Sequence, residues 1–219
     1  MGSKYTKLLL HLNNELFLDE VGNKVIPNNV ILDTANKKFG YGSARFQTGS
    51  GIQIPEIANF GFTNDFTIDF WFYLYGTNTI NCPISKHVSN KYDSFYVRAD
   101  SNNFNFLATT NGSTWDINLK NTSTIINNKW YHAAIVRNNK YYYLFIDGIL
   151  EDYTENSSPI LDNDTPIVIG NLYGSTGYYF NGNIDEVRIS NSAVWLENFT
   201  PPIQEYTYNL FLFKSNDKY

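Results

Sequence analysis

The chain has 219 residues, of which 42% are hydrophobic and 17% aromatic, enough to fill the space between two packed sheets. Charged residues make up only 17%, and the formal net charge is −5, without a run of like charges. This composition excludes a typical nucleic-acid-binding protein, in which Lys and Arg must neutralise phosphates. The length suits one β domain, and we predict a single domain.

The N-terminal segment and the cysteine content limit the possibilities further. Cys82 is the only cysteine, so an intrachain disulfide is excluded. The first apolar stretch comprises only residues 8–10 and Leu12, which is too short for a signal-peptide core or for the ~20 residues of a spanning helix. We therefore expect no signal peptide and no membrane insertion. The many Asn, Ser, Thr and Tyr residues suit sugar recognition, but a low-GC genome explains them equally well.

Strict alternation of apolar residues predicts a strand at residues 65–75 with one buried face. The predicted core face carries Phe66, Ile68, Phe70, Phe72 and Leu74. The other face carries Thr67, Asp69, Trp71, Tyr73 and Tyr75. Because this second face is aromatic and polar together, we expect it to be a partly exposed sheet surface.

The rest of the chain also shows short strand-like runs separated by turn residues. Asn138 and Asn139 can adopt the positive φ of a tight turn, which predicts a hairpin between strands at 130–136 and 141–146. Asp147-Gly148 predicts the next turn, into a strand at 149–153. Shorter strands are predicted at 44–47, 51–54, 94–99, 104–109, 115–119, 166–170, 178–180 and 184–189. A single helical turn is predicted at Ser192–Glu197. This pattern predicts an antiparallel all-β sandwich.

Several stretches of the sequence follow one another in an order typical of a known family. They are FGYGSARF at 39–46, DFTIDFWF at 65–72, WYHAAIVR at 130–137 leading to IDG at 146–148, and FNGNIDEVRIS at 180–190, with further matches at 9–13 and 193–201. Together they resemble the laminin-G-like jelly rolls of the concanavalin A-like lectin type. The resemblance implies an all-β, two-sheet antiparallel jelly roll over residues 1–219, with a core at about 8–202. Residues 203–219 would be a C-terminal extension or an edge strand.

The resemblance also implies a function. Members of this family are usually binding or adhesion modules of extracellular proteins and of phage tails, fibres and capsid decorations. It therefore implies a non-enzymatic carbohydrate- or receptor-binding module on the surface of a phage particle or a cell, with a glycan or a cell-surface receptor as partner. The alternative is a virion decoration or fibre subunit that contacts other virion proteins or assembles with itself. A glycoside hydrolase relative is the third hypothesis.

The sequence argues against catalysis. Glycosidases need a pair of carboxylates, and the Glu-x-Asp-x-x-Glu motif of the retaining enzymes of this fold is missing. Asp69 is the lone carboxylate on its strand, and the adjacent Asp185 and Glu186 are expected to point to opposite faces of theirs. The three histidines are scattered, at His11, His87 and His132. His132 is expected to pack or to hydrogen-bond internally, and no catalytic residue is predicted.

Aromatic residues are the candidates for sugar binding, because a ring can stack on a sugar face. The predicted ligand-binding residues are Trp71, Tyr73, Tyr92, Trp115, Tyr173 and Tyr178. Segment 171–179 is especially suggestive, because its glycines permit close approach and its tyrosines offer flat surfaces. A flexible hairpin loop explains this segment equally well.

Calcium is the one metal that the resemblance makes plausible, with Asp185 and Asn13 as candidate ligands. In similar jelly rolls, an Asp on the last long strand joins oxygens of the N-terminal segment around a structural Ca²⁺, which needs six to eight oxygen ligands. The alternative is that Asp185 accepts hydrogen bonds from backbone groups of the N-terminal strand. No other cofactor is expected.

Overall fold

In a computed structural model of the protein, the described residues, 4–55, 60, 62–76, 81–100 and 102–208, form fifteen strands and no helix. Eight strands form one antiparallel sheet: β1 (Thr6–Leu10), β3 (Ile31–Asp33), β4 (Ser43–Phe46), β6 (Phe66–Leu74), β11 (Trp130–Asn138), β12 (Tyr141–Ile146), β13 (Ile149–Glu155) and β15 (Gly182–Ser190). Seven form the other: β2 (Ile26–Asn28), β5 (Gly51–Ile54), β7 (Ile84–Lys86), β8 (Phe95–Asp100), β9 (Asn103–Ala108), β10 (Ile117–Lys120) and β14 (Ile167–Ile169). The predicted two-sheet jelly-roll sandwich is confirmed.

The strand order places the longest strands at the centre of the eight-stranded sheet. Its order is β13-β12-β11-β6-β15-β4-β3, and β1 also pairs with β15. The seven-stranded sheet has the order β10-β9-β8-β7-β14-β5-β2. Buried apolar side chains from both sheets form one continuous core, in which the Phe104 ring of β9 lies 5.2 Å from that of Phe72 and 6.3 Å from that of Phe70 in β6.

The predicted core face of β6 is confirmed, since Phe66, Ile68, Phe70, Phe72 and Leu74 are all buried. The prediction for its outer face is wrong in part. Thr67 and Asp69 are fully buried and Trp71 is only 5% exposed. Two segments that are distant in sequence, 33–42 and 191–206, contact this face. Alternation along β6 identifies the two faces, but it contains no information on what packs over them.

Two predicted local elements are absent. Ser192–Glu197 does not form a helical turn, because the Thr67 hydroxyl donates to the Ser192 carbonyl oxygen at 2.8 Å and accepts from the Val194 N–H at 3.0 Å. The first of these bonds uses the Ser192 carbonyl oxygen, which would accept an intrahelical bond if a helix began there. Residues 178–180 form no strand, and only an isolated bridge joins Tyr179 to Asn171.

The described part of the C-terminal extension lies against the eight-stranded sheet. Residues 203–208 form no strand, and Tyr206 reaches the outer face of β6, where its hydroxyl donates to Asp69. Residues 209–219 lie outside the described residues, so the choice between a C-terminal extension and an edge strand for 203–219 is tested only over 203–208. Across the described chain, no helical segment has the length and apolar character needed to cross a membrane.

Candidate functional site

A cleft of about 360 Å³ opens on the outer face of the seven-stranded sheet. Phe95 and Val97 of β8 point into the core, so the side chain of Tyr96 between them points outward and forms part of the cleft. The lining residues are His87, Ser89, Asn90, Lys91, Tyr92, Tyr96, Trp115, Leu172 and Tyr178. We call this the aromatic cleft, because four of its nine lining residues are Tyr or Trp.

Trp115 is the centre of the ring cluster in the aromatic cleft. Its ring centroid lies 5.0 Å from that of His87, 5.1 Å from that of Tyr96 and 5.2 Å from that of Tyr92. The planes are tilted or edge-on to one another, which is the favourable geometry for aromatic pairs. Trp115 stays partly exposed and Tyr92 is 45% exposed, so both rings are accessible to a ligand.

The turn between β9 and β10 fixes the position of Trp115. The Asn111 side-chain oxygen accepts the Thr114 N–H at 3.0 Å, and Asp116 accepts the Thr110 N–H at 2.8 Å and the Asn156 amide at 2.9 Å. Although partial burial by itself raises the pKa of Asp116, the bonds from Thr110 and Asn156 outweigh this effect and lower the pKa. Hydrogen bonds thus hold the residues on both sides of Trp115, which fixes the position of its indole ring.

The loop between β7 and β8 carries Tyr92 and is held by Asp93. The Asp93 carboxylate contacts the His87 ring and accepts the Val88 N–H at 3.2 Å. The Ser89 N–H donates to the Tyr173 carbonyl oxygen at 3.3 Å, which joins this loop to segment 171–179. The polar rim of the cleft and the tyrosine-rich segment thus form one connected surface.

The structure brings together three of the six predicted ligand-binding residues. Tyr92, Trp115 and Tyr178 line the aromatic cleft, and Tyr173 lies beside it, 39% exposed, in the segment bonded to Ser89. Sequence reasoning missed His87 and Tyr96. Tyr96 could have been found from its outward position in the alternation of β8, whereas His87 becomes part of the site only through the packing of Trp115.

Trp71 and Tyr73 lie on the other sheet, away from the aromatic cleft. Segment 33–42 covers Trp71, with the Lys38 ammonium 3.7 Å from the centre of the indole and the Phe39 ring 5.8 Å away. Tyr73 packs against Trp130 at a centroid distance of 5.6 Å. These two residues are engaged by the protein's own segments, and their role in ligand binding stays a prediction.

The two candidate calcium ligands contact different segments. Asp185 accepts the backbone N–H groups of Lys38 at 2.9 Å and Phe39 at 3.1 Å, and its burial raises its pKa to about 8. Its hydrogen bonds thus go to segment 33–42 rather than to the N-terminal strand. The Asn13 amide donates to Glu205 at 2.8 Å. A calcium site at Asp185 and Asn13 stays a prediction.

The expectation that Asp185 and Glu186 point to opposite faces is wrong. A β-bulge, with a register shift between Asp185 and Arg188 and a φ of 51° at Glu186, turns both carboxylates to the outer side of β15. Glu186 there accepts the Tyr206 N–H at 2.7 Å. Each of the two residues is 1% exposed, so neither carboxylate reaches an open cleft.

His132 packs internally, as predicted. It is fully buried, its Nε2 lies 3.6 Å from the Asp69 carboxylate, and the rings of Trp71 and Trp195 pack against it at 5.1 and 5.7 Å. Arg188 donates to the second Asp69 oxygen at 2.9 Å. These contacts give His132 a structural role in the outer face of β6, the covered face, over which segments 33–42 and 191–206 lie.

A family model described as concanavalin A-like lectin/glucanases superfamily matches residues 46–197. The chain belongs to this superfamily. Its matched range contains β5 to β15 and every residue of the aromatic cleft. Membership in the superfamily fixes the fold, but its name covers both lectins and glucanases, so function has to be argued from the site.

Solved structures with the same fold include the binding domain of Paraclostridial mosquitocidal protein 1, with a TM-score of 0.72 at 18% identity. The binding domain of botulinum neurotoxin serotype D has a TM-score of 0.66 at 15% identity. That of botulinum neurotoxin DC in complex with rat synaptotagmin II has 0.68 at 16%. The matches cover 87% of this chain but only 50%, 49% and 49% of those chains, about half their length. No curated protein matches the sequence.

Proposed function

We propose that the protein is a non-enzymatic binding module that recognises a carbohydrate or a glycosylated cell-surface receptor in the aromatic cleft. The observation that carries the proposal is the gathering of Tyr92, Trp115 and Tyr178, from three separate segments, around one open cleft. Rings that the fold could bury are instead left accessible beside polar groups. Such a combination of apolar rings and a few polar groups is typical of small-ligand sites.

The cleft offers the two kinds of contact that a sugar needs. The indole of Trp115 and the phenol rings supply flat apolar surfaces for the C–H face of a pyranose ring. Ser89, Asn90 and Lys91 on the rim supply hydroxyl, amide and ammonium groups for the sugar hydroxyls. Since Asp93 and the Asn111 turn hold the rings in place, little conformational entropy is lost when a ligand binds.

The make-up of the cleft supports binding without catalysis. Glycoside hydrolysis needs two carboxylates about 5–10 Å apart across the scissile bond. Among the described residues that line the cleft there is no Asp or Glu, and the nearby Asp93 is occupied by His87 and Val88. Cleavage of oligosaccharides by the purified protein would overturn this part of the proposal.

The structural neighbours support a binding role at a cell surface. They are binding domains of toxins, one in complex with rat synaptotagmin II, and a further structure concerns a botulinum neurotoxin type C whose cell entry depends on interaction with two ganglioside molecules. We propose display at a phage or cell surface for this chain. A virion structural role, with the exposed aromatic rings in contact with protein neighbours, is the alternative outcome of the test below.

A glycan array followed by titration calorimetry of the best ligand tests the proposal. Trp115→Ala and Tyr178→Ala should weaken binding by about 10- to 100-fold, because each removes a central stacking surface worth roughly 1–3 kcal/mol. Trp115→Phe should retain part of the affinity. Tyr153→Ala is the matched control, since Tyr153 is 62% exposed on β13 of the other sheet.

Two results would contradict the proposal. One is glycan binding with unchanged affinity in both cleft variants. The other is the absence of any glycan binding together with concentration-dependent self-assembly in analytical ultracentrifugation, which would favour the virion structural role.

A further inference from the structure

A second cluster of reactive side chains lies on the outer side of the eight-stranded sheet, away from the aromatic cleft. It comprises His11, Glu186 and Glu205, whose ligating atoms all lie within 4.8 Å of one another. His11 follows β1, Glu186 is the bulge residue of β15, and Glu205 belongs to the C-terminal segment. The fold thus brings three potential metal ligands together from the beginning, the last strand and the end of the described chain.

The separation of the ligating atoms suits a small ion. The His11 Nδ1 is hydrogen-bonded to a Glu186 oxygen at 2.6 Å, and all three ligating atoms lie within 4.8 Å of one another. Ligands at about 2.0–2.2 Å from a tetrahedral zinc ion stand roughly 3.3–3.6 Å from one another. Side-chain rotations that move these atoms by about an ångström would therefore form three bonds to one ion.

The charge of the cluster favours a cation. Two carboxylates face one imidazole, and within the described residues neither Glu186 nor Glu205 forms an ion pair with Lys or Arg. Glu186 is 1% exposed, and burying its negative charge is costly even with the His11 ring and the Tyr206 N–H bonded to it. A divalent ion would neutralise both carboxylates at once.

The backbone of Gly40 lies closely against the Glu205 carboxylate of the cluster. A Cβ atom at this position would lie 2.0 Å from the Glu205 carboxylate oxygen and 3.0 Å from the Asn13 amide nitrogen. The backbone of Gly40 can therefore approach the carboxylate more closely than that of any other residue type. The Asn13 side chain, which contacts Glu205 at 2.8 Å, is a candidate fourth ligand through its amide oxygen.

From this geometry we propose that His11, Glu186 and Glu205 form a binding site for a zinc-class divalent ion that ties the N-terminal and C-terminal segments to β15. A ring nitrogen with two carboxylates is a donor set that zinc accepts. Calcium prefers six to eight oxygen ligands and gains little from an imidazole. The site shares only Asn13 with the calcium prediction made from the sequence. It does not depend on the ligand of the aromatic cleft.

Titration calorimetry and thermal unfolding of EDTA-treated protein without a polyhistidine tag test the site. Wild type should bind one Zn²⁺ per chain, and a free concentration 100 times the Kd should raise the Tm by about 5 °C. An equal concentration of Ca²⁺ or Mg²⁺ should not displace Zn²⁺ from this site. His11→Gln and Glu205→Gln should each weaken zinc binding at least about tenfold, since each removes one of the three proposed ligands.

The control is Glu155→Gln, which removes an exposed carboxylate on β13 and should bind zinc like wild type. Unfolding of Glu205→Gln without metal separates a lost ligand from a folding defect, and its metal-free Tm should be close to that of wild type. The proposal is overturned if wild type shows no saturable zinc binding, if both ligand variants bind with the wild-type Kd, or if Ca²⁺ raises the Tm and Zn²⁺ does not.

Discussion

The outer faces of the two sheets carry similar aromatic residues, but these are accessible on one sheet and buried on the other. On the seven-stranded sheet, Trp115 and Tyr92 stay accessible at the rim of a cleft. On the eight-stranded sheet, Trp71 is 5% exposed beneath segment 33–42, and Asp69 is fully buried under residues of segment 191–206. The comparison teaches that an aromatic outer face becomes a binding surface only where no other segment of the chain lies over it.

The covered face should depend on its buried charges for stability. Asp69→Ala leaves the Arg188 guanidinium buried without its carboxylate, so the free energy of unfolding should fall by about 3–5 kcal/mol. Urea unfolding at pH 7 measures this change. Glu155→Ala, which breaks an exposed pair with Lys140, should change stability little. Equal losses in the two variants would refute the contrast between the buried and the exposed pair.

The Asp69–Arg188 pair should also make the free energy of unfolding depend on pH. Burial by itself raises the pKa of Asp69, but the charge of Arg188, the nearby His132 ring and the bond from the Tyr206 hydroxyl outweigh it and lower the pKa below its ordinary value. The resulting stabilisation is present above the unfolded-state pKa of about 3.9 and is lost as the pH falls through the lower folded-state pKa. The stability gap between wild type and Asp69→Asn should therefore narrow in acid.

Exchanging the two tryptophans for alanine compares the faces directly. Trp71→Ala empties a packed site beneath Phe39 and Lys38 and should cost about 3–5 kcal/mol of unfolding free energy. Trp115→Ala removes a partly exposed ring and should cost only about 1–2 kcal/mol, while its main effect falls on ligand affinity. Thermal and urea unfolding check the order. A larger loss of stability in Trp115→Ala would assign that residue to the core.

Two glycines at the start and the tip of the tyrosine-rich loop test how the cleft is built. Both have positive φ, 80° at Gly170 and 71° at Gly174. A Cβ at Gly170 would lie 2.0 Å from the Phe46 ring, whereas a Cβ at Gly174 would meet nothing within 4 Å. Gly170→Ala should therefore destabilise by more than about 2 kcal/mol, and Gly174→Ala by about 1 kcal/mol or less. Similar losses would show that φ alone matters at Gly170.

Much of the fold could be predicted from periodicity and turn residues. The alternation of β6 and the hairpin between β11 and β12 agree with the structure, because each depends on neighbours in sequence. The predicted turn is right only in part, since Asn139 has a φ of 53° but Asn138 is the last residue of β11. The short strands β2, β3 and β7, of three residues each, were not predicted. A pattern this short contains too few residues to separate a strand from a loop.

The candidate site could be predicted only in part. Tyr92, Trp115 and Tyr178 were selected as exposed aromatics, but their meeting in one cleft depends on three loops that pack together. His87 gave no signal in sequence, and the bulge at Glu186 reversed the expected direction of its carboxylate. Such features arise from contacts between distant residues, which no local pattern contains.

The sequence by itself determined the all-β sandwich, the core face of β6 and the absence of an intrachain disulfide, because alternation and residue type act locally. The tertiary structure alone decided which aromatic rings are accessible and which carboxylates and histidines meet. The meeting of His11 with Glu186, 175 residues apart, is one such case. Segments 33–42 and 191–206 decide which rings are accessible, because they lie over the outer face of the eight-stranded sheet and leave that of the seven-stranded sheet open.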